Sequence, residues 1–125
     1  MKGYDANDHA VPAFTTLGSL FEREQEMGGK PPFDLPPLWA KRKSRLNLET
    51  PFNFVSTADI IGGNSGSPVV NRAGEFVGII FDGNLASLPW DYADNDQAGR
   101  ATSVHSAAVL ESINKVYGAS ALVRE

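Results

Sequence analysis

Hydrophobic and polar residues alternate differently in the two halves of this chain. From Gly18 to Met27 the spacing suits a short helix, with Ser19 as its cap, Glu22 three residues on, and Gly28-Gly29 as its stop. Lys30 to Pro37 contains four prolines, which remove backbone donors and fix φ, so it predicts an extended connector. Leu38 to Leu48 is a second short helical candidate, and its Lys41-Arg42-Lys43 run reads as a solvated face. After Pro51 the pattern turns to strands. Phe52, Phe54 and Val55 predict one, and Val69-Val70, a turn at 71–74 and Glu75 to Phe81 predict a hairpin. Leu85 to Arg100 reads as a long acidic loop. Ser106 to Tyr117 closes the pattern as an amphipathic helix with Val109, Leu110, Ile113 and Val116 on one face and Gly118 as its stop.

These elements predict a mainly β chain in three segments. Residues 1–50 are loosely structured, with short helices and a proline-rich connector. Residues 51–105 form a β segment, and residues 106–125 a C-terminal helix and tail. Composition narrows the function classes. Fifteen acidic against eleven basic residues give a formal charge of −4, which disfavours nucleic acid as the partner, since phosphate binding needs a positive field. The absence of cysteine excludes disulfides and thiolate metal sites. The polar start carries no apolar export signal, and no apolar run approaches the ~20 residues of a membrane-spanning helix.

The candidate chemistry lies between the predicted strands, in Gly62-Gly63-Asn64-Ser65-Gly66-Ser67-Pro68. Acyl transfer needs an exposed hydroxyl on a sharp turn and backbone N–H groups aimed at the developing oxyanion. Glycines on both sides of Ser65 permit that turn, and the N–H groups of Gly63 and Ser65 are the natural donor pair. A phosphate loop would need a Gly-Lys-Ser/Thr sequence opening a helix, and this loop has no lysine. A nucleophile elbow would need glycine where Ser67 stands, and a helix where a strand follows. A structural turn rich in Gly and Ser remains an alternative. Phe81-Asp82-Gly83-Asn84 ends the hairpin. The Asp82 carboxylate there suits a substrate cation such as a free α-amine, although Asp-Gly is also a plain turn signal. Asp91, Asp94 and Asp96 lack the glycine and distal glutamate of a calcium loop and read as solvated. Trp39 and Trp90 read as packing residues.

Thr57 to Pro68, Gly74-Glu75-Phe76-Val77-Gly78 and Phe81-Asp82-Gly83-Asn84 together resemble the C-terminal part of the bacterial chymotrypsin-fold dipeptidyl peptidases seven and eleven. The similarity extends to Pro32-Phe33-Asp34-Leu35-Pro36, Thr50-Pro51-Phe52-Asn53-Phe54 and Lys115-Val116-Tyr117-Gly118-Ala119, so it runs over nearly the whole chain. The resemblance implies part of the C-terminal barrel of a trypsin-like double β-barrel. It implies that Ser65 is the nucleophile of a Ser-His-Asp triad, that Asp82 holds the substrate amino terminus, and that Phe81 and Gly83 line the substrate site. At the position of Gly83, arginine accompanies acidic residues before the cut in this family, and glycine apolar ones. An apolar preference is therefore expected, since glycine leaves an uncharged, roomier pocket.

The resemblance further implies peptide substrates with a free N-terminus, a homodimer in the full-length form, no metal or other cofactor, and a periplasmic or extracellular setting. The family's enzymes are much longer, with the triad His and Asp upstream. The chain is thus expected to supply the nucleophile part only and to be inactive alone. Neither His9, in the polar start, nor His105, just before the last helix, is a good substitute base. Two other readings are an inactive fragment or binding module that keeps part of the fold, and a chymotrypsin-like endopeptidase.

Overall fold

The structure is a computed structural model, and it describes residues 3–4, 10–91 and 99–125. The chain divides into two compact units, 1–15 with 53–106, and 16–52 with 107–125.

The first unit is built on antiparallel strands. A short pair, β1 (Gly3–Tyr4) and β2 (Ala10–Val11), stands by itself. The main sheet has five strands: β3 (Phe14–Thr16), β4 (Pro51–Ser56), β5 (Pro68–Val70), β6 (Phe76–Gly83) and β7 (Ala101–His105). Their order across the sheet is β3-β4-β7-β6-β5. The hairpin β5–β6 forms as its turn chemistry requires. Asn71 accepts from the N–H groups of Ala73 and Glu75 through Oδ1, and Gly74 takes φ +80°, which the turn needs.

Strand β7 pairs with both β4 and β6 and so occupies the middle of the sheet, placing Phe54 and Ile80 opposite Ser103. Ile80, Ala101 and Ser103 are buried. Gly78 lies opposite His105 because no side chain would fit there: a Cβ at 78 would stand 2.3 Å from the Val104 carbonyl oxygen. The sequence did not reveal β7. Its alternation of small buried and half-buried residues over five positions is a weak signal, and it lies directly after the stretch read as an acidic loop. The first part of that stretch is also ordered, as a 3-10 helix over Leu85–Asp91.

The second unit is helical. Helix α1 (Leu17–Glu26) starts one residue earlier than expected and is capped by Thr16, not Ser19. Ser19 is the third helical residue and completes the reciprocal capping box, accepting from the Thr16 N–H. Gly28 and Gly29 stop the helix with φ of +70° and +62°. Leu17 and Phe21 are buried, and the Leu17 and Gly18 N–H groups, unpaired within the helix, donate to the carbonyls of Thr50 and Leu48. Helix α2 (Pro37–Arg42) begins on a proline, which fits the first turn, and tightens into a 3-10 turn at Lys43–Arg45. Arg42 and Lys43 of the basic run do not simply face water. Arg42 donates to the Val116 carbonyl, and the Lys43 ammonium lies 4.8 Å from the Phe21 ring centre.

The last helix also differs from its expected form. Helix α3 (Ser106–Glu111) widens over Ser112–Val116 into i→i+5 pairing, with the Tyr117 N–H donating to Ser112 at 2.9 Å. The wide turn changes the angular phase, so Ala108 and Val116 carry the buried stripe while Leu110 is 49% exposed. Gly118 ends it with φ +71°. Trp39 donates through Nε1 to the Tyr117 hydroxyl at 3.4 Å.

Candidate active site

The Ser65 turn is fixed from both sides. Before it, the Asn64 side chain accepts from the Ile61 N–H at 2.8 Å, and the Asn64 N–H donates to the Ile61 carbonyl at 3.2 Å. After it, the Gly66 N–H donates to the Ile80 carbonyl and the Ile80 N–H donates to the Ser67 carbonyl, at 2.8 and 3.1 Å. The turn is therefore docked on β6 by a reciprocal pair of backbone bonds, much as a ladder would do it. Gly63 and Gly66 take φ of +100° and +93°, a conformation that strongly favours glycine. Ser65 stands exposed between them, and its Oγ donates to the Phe81 carbonyl at 3.2 Å. Among the described residues, neither the Gly63 nor the Ser65 N–H donates to a protein acceptor.

Phe81 marks an irregularity in β6. The register with β7 shifts between Ile80 and Asp82, so one extra residue is inserted there. Such bulges bend a strand and re-aim its side chains. Asp82 and Gly83 remain in the strand, opposite Thr102 and Ala101, so Asp82-Gly83 is no hairpin turn. The Asp82 carboxylate is exposed, with Oδ1 accepting from the Gly83 N–H at 2.8 Å.

Ser65, Gly63, Phe81, Asp82 and Gly83 all line one pocket of about 250 Å³. The fold thus brings together residues up to twenty positions apart. It adds Ile60, Ser87 and Leu88 to the walls, none of which the sequence singled out. Asn84 carried the missed signal for Ser87. As a turn-initiating residue it accepts from the Ser87 N–H at 2.9 Å and opens the 3-10 helix.

His105 is elsewhere in the sheet. It ends β7 directly before α3, and its ring meets Phe54 edge-on with centroids 5.7 Å apart. The hydroxyl of Ser65 is paired with the Phe81 carbonyl and not with an imidazole. His9, Asp94 and Asp96 lie outside the described residues, as do the side chains of Asp91 and Trp90. Among the described residues, no group of three or more His, Asp or Glu could hold a metal ion, and no helix is long and apolar enough to cross a membrane.

The Peptidase S46 family profile matches residues 1–125. This chain belongs to the Peptidase S46 family. Its relatives carry two kinds of name. The chain is 34% identical to the dipeptidyl-peptidase 7 of Phocaeicola vulgatus over its whole length, which is 18% of that protein. It is 41% identical to the Asp/Glu-specific dipeptidyl-peptidase of Shewanella putrefaciens over 60% of the chain and 10% of the relative. In solved structures it is similar to Porphyromonas endodontalis DPP11, with TM-score 0.84 and 28% identity over 99% of this chain and 19% of that one. The TM-score is 0.82 against the same protein in complex with the dipeptide Arg-Asp. The chain thus spans about a fifth of the length of these relatives or less. The matched region is a mainly antiparallel β arrangement with few helices.

Proposed function

We propose that this S46 chain is the nucleophile-bearing part of a serine dipeptidyl peptidase, and that its β segment, 51–105, belongs to the second barrel of a trypsin-like fold. One observation carries the reading. An exposed serine sits on a glycine-flanked turn docked on β6, beside two N–H groups that have no partner among the described residues, and with Asp82 on the same pocket.

In this reading Ser65 Oγ attacks the peptide carbonyl after the second residue, and its proton passes to a histidine supplied by another segment. The N–H groups of Gly63 and Ser65 stabilise the oxyanion. The Asp82 carboxylate pairs with the free α-amine and so counts two residues from the end. The tetrahedral intermediate collapses to an acyl-enzyme at Ser65 and the shortened peptide leaves as an amine, protonated by the same histidine. Water then releases the dipeptide.

Gly83 in the pocket offers nothing to pair a substrate carboxylate, which supports an apolar residue before the cut. A periplasmic or extracellular setting and a homodimer of the longer form complete the proposal. Within this chain the Ser65 hydroxyl has a carbonyl as its partner, which supports an inactive state for the 125 residues alone.

Intact-mass detection of fluorophosphonate labelling tests the serine. In a protein that joins this chain to a family upstream part, one adduct at Ser65 is expected, lost in Ser65→Ala. With the same protein, free-amine dipeptidyl coumarins should be cleaved and N-blocked ones spared. Equal cleavage of blocked substrates would remove the role given to Asp82.

A further inference from the structure

Gly83 is not held as glycine by its backbone, since its φ lies outside the left-handed region. It is held so by a neighbour. A Cβ at position 83 would stand 2.3 Å from Ser87 Oγ, against 3.4 Å from Ser87 Cβ and 3.3 Å from Ile60 Cδ1. One oxygen atom therefore supplies nearly all of the obstruction. That oxygen is tied down: it donates to the Asn84 carbonyl at 2.7 Å, and the Ser87 N–H donates to the same carbonyl at 2.9 Å. Swinging the hydroxyl aside would break the first of these bonds. Ser87, Gly83 and Ile60 all line the pocket that holds Ser65. Because the Ser87 proton is used on Asn84, only oxygen lone pairs are left for the pocket. Those repel a carboxylate and offer an apolar side chain a shallow, weakly polar wall.

We propose that Ser87 is a specificity-determining residue, and that positions 83 and 87 act as one steric unit that sets the depth and polarity of the pocket beside Ser65. This rests on the peptide-pocket reading given above. The volume freed by the missing Cβ of Gly83 is occupied by the Ser87 hydroxyl, so a side chain at 83 requires a smaller one at 87. The backbone bond from Ser87 to Asn84 keeps the helix start when the hydroxyl is removed, so Ser87→Ala is a clean probe of the oxygen alone.

Two measurements on the full chain test this. In urea unfolding, Gly83→Ala should lower the folding constant by about tenfold or more, as overpacked sites do. Ser87→Ala added to it should recover most of that loss. Simple additivity of the two changes would overturn the steric unit. In ¹⁵N-resolved titrations with the free dipeptides Ala-Ala and Ala-Leu, Ser87→Ala should raise the preference for Ala-Leu by about tenfold, the discrimination typical of one small group in a pocket. Binding of both dipeptides with an unchanged ratio would overturn the role of Ser87 and leave the peptide pocket standing. No binding of either by any variant would overturn the peptide pocket, and the specificity role with it.

Discussion

Replacing Gly78 by alanine tests the geometry of the sheet directly. The new Cβ would lie 2.3 Å from the Val104 carbonyl oxygen, 2.7 Å from Phe54 Cε1 and 3.1 Å from Phe54 Cζ. The ring of Phe54 reaches this point from β4, across β7, and can rotate away at some cost. The Val104 carbonyl cannot, because it belongs to the central strand and is held by pairing on both sides. Alanine gains about 0.4–1 kcal/mol by restricting the unfolded chain. Against this stands overpacking of about 1–3 kcal/mol, which a backbone obstacle pushes to the upper end. A net loss of about 2 kcal/mol is therefore expected. With a urea slope of about 1–3 kcal/mol per M, the midpoint should fall by roughly 1 M. A second variant separates the two obstacles. Phe54→Leu in the Gly78→Ala background should relieve only the ring part, leaving at least half of the loss. An unchanged or higher midpoint for Gly78→Ala would refute the close approach, and full recovery by Phe54→Leu would refute the carbonyl as the rigid obstacle.

Other outcomes follow from the same contacts. Thr16→Ala removes the side-chain cap of α1 and should cost about 1 kcal/mol, read as a lower thermal midpoint, while Thr16→Ser should cost much less. The Ser103 hydroxyl is fully buried and has no hydrogen-bond partner among the described residues, so Ser103→Ala should be neutral or stabilising by up to about 1 kcal/mol in urea unfolding. A clear loss there would mean that the hydroxyl has a partner. Ser65→Ala should abolish fluorophosphonate labelling in the joined protein and change stability by less than about 0.5 kcal/mol, since Ser65 is exposed and its one side-chain bond is long.

Much of the candidate site was legible because its residues are local and chemically constrained. Gly63, Ser65 and Gly66 declare a sharp turn wherever it is placed, and the positive φ at both glycines agrees. The hairpin from Val69 to Phe81 follows from its turn residues and its apolar runs, and the stops of α1 and of the last helix follow from Gly28, Gly29 and Gly118. Capping was read less well. Ser19 and Thr16 both suit a cap, and only the β-region φ and ψ at Thr16 separate the cap from the third helical residue.

What the sequence by itself determined is the set of local instructions: where the chain turns, which segments repeat every two residues or every three to four, and which hydroxyl stands on a glycine-flanked bend. The tertiary structure alone decided the rest. Strand β7 exists because β4 and β6 pair on either side of it, although its own residues signal a strand only weakly. Asp82-Gly83 stays in a strand because β7 pairs with it, overriding a turn signal. Gly83 is confined by Ser87, four residues away, through a helix start that no periodicity announces. Local signals act through the backbone preferences of single residues, which a sequence carries openly. Pairing and close approach depend on what lies opposite, and that is fixed only when the whole sheet has formed.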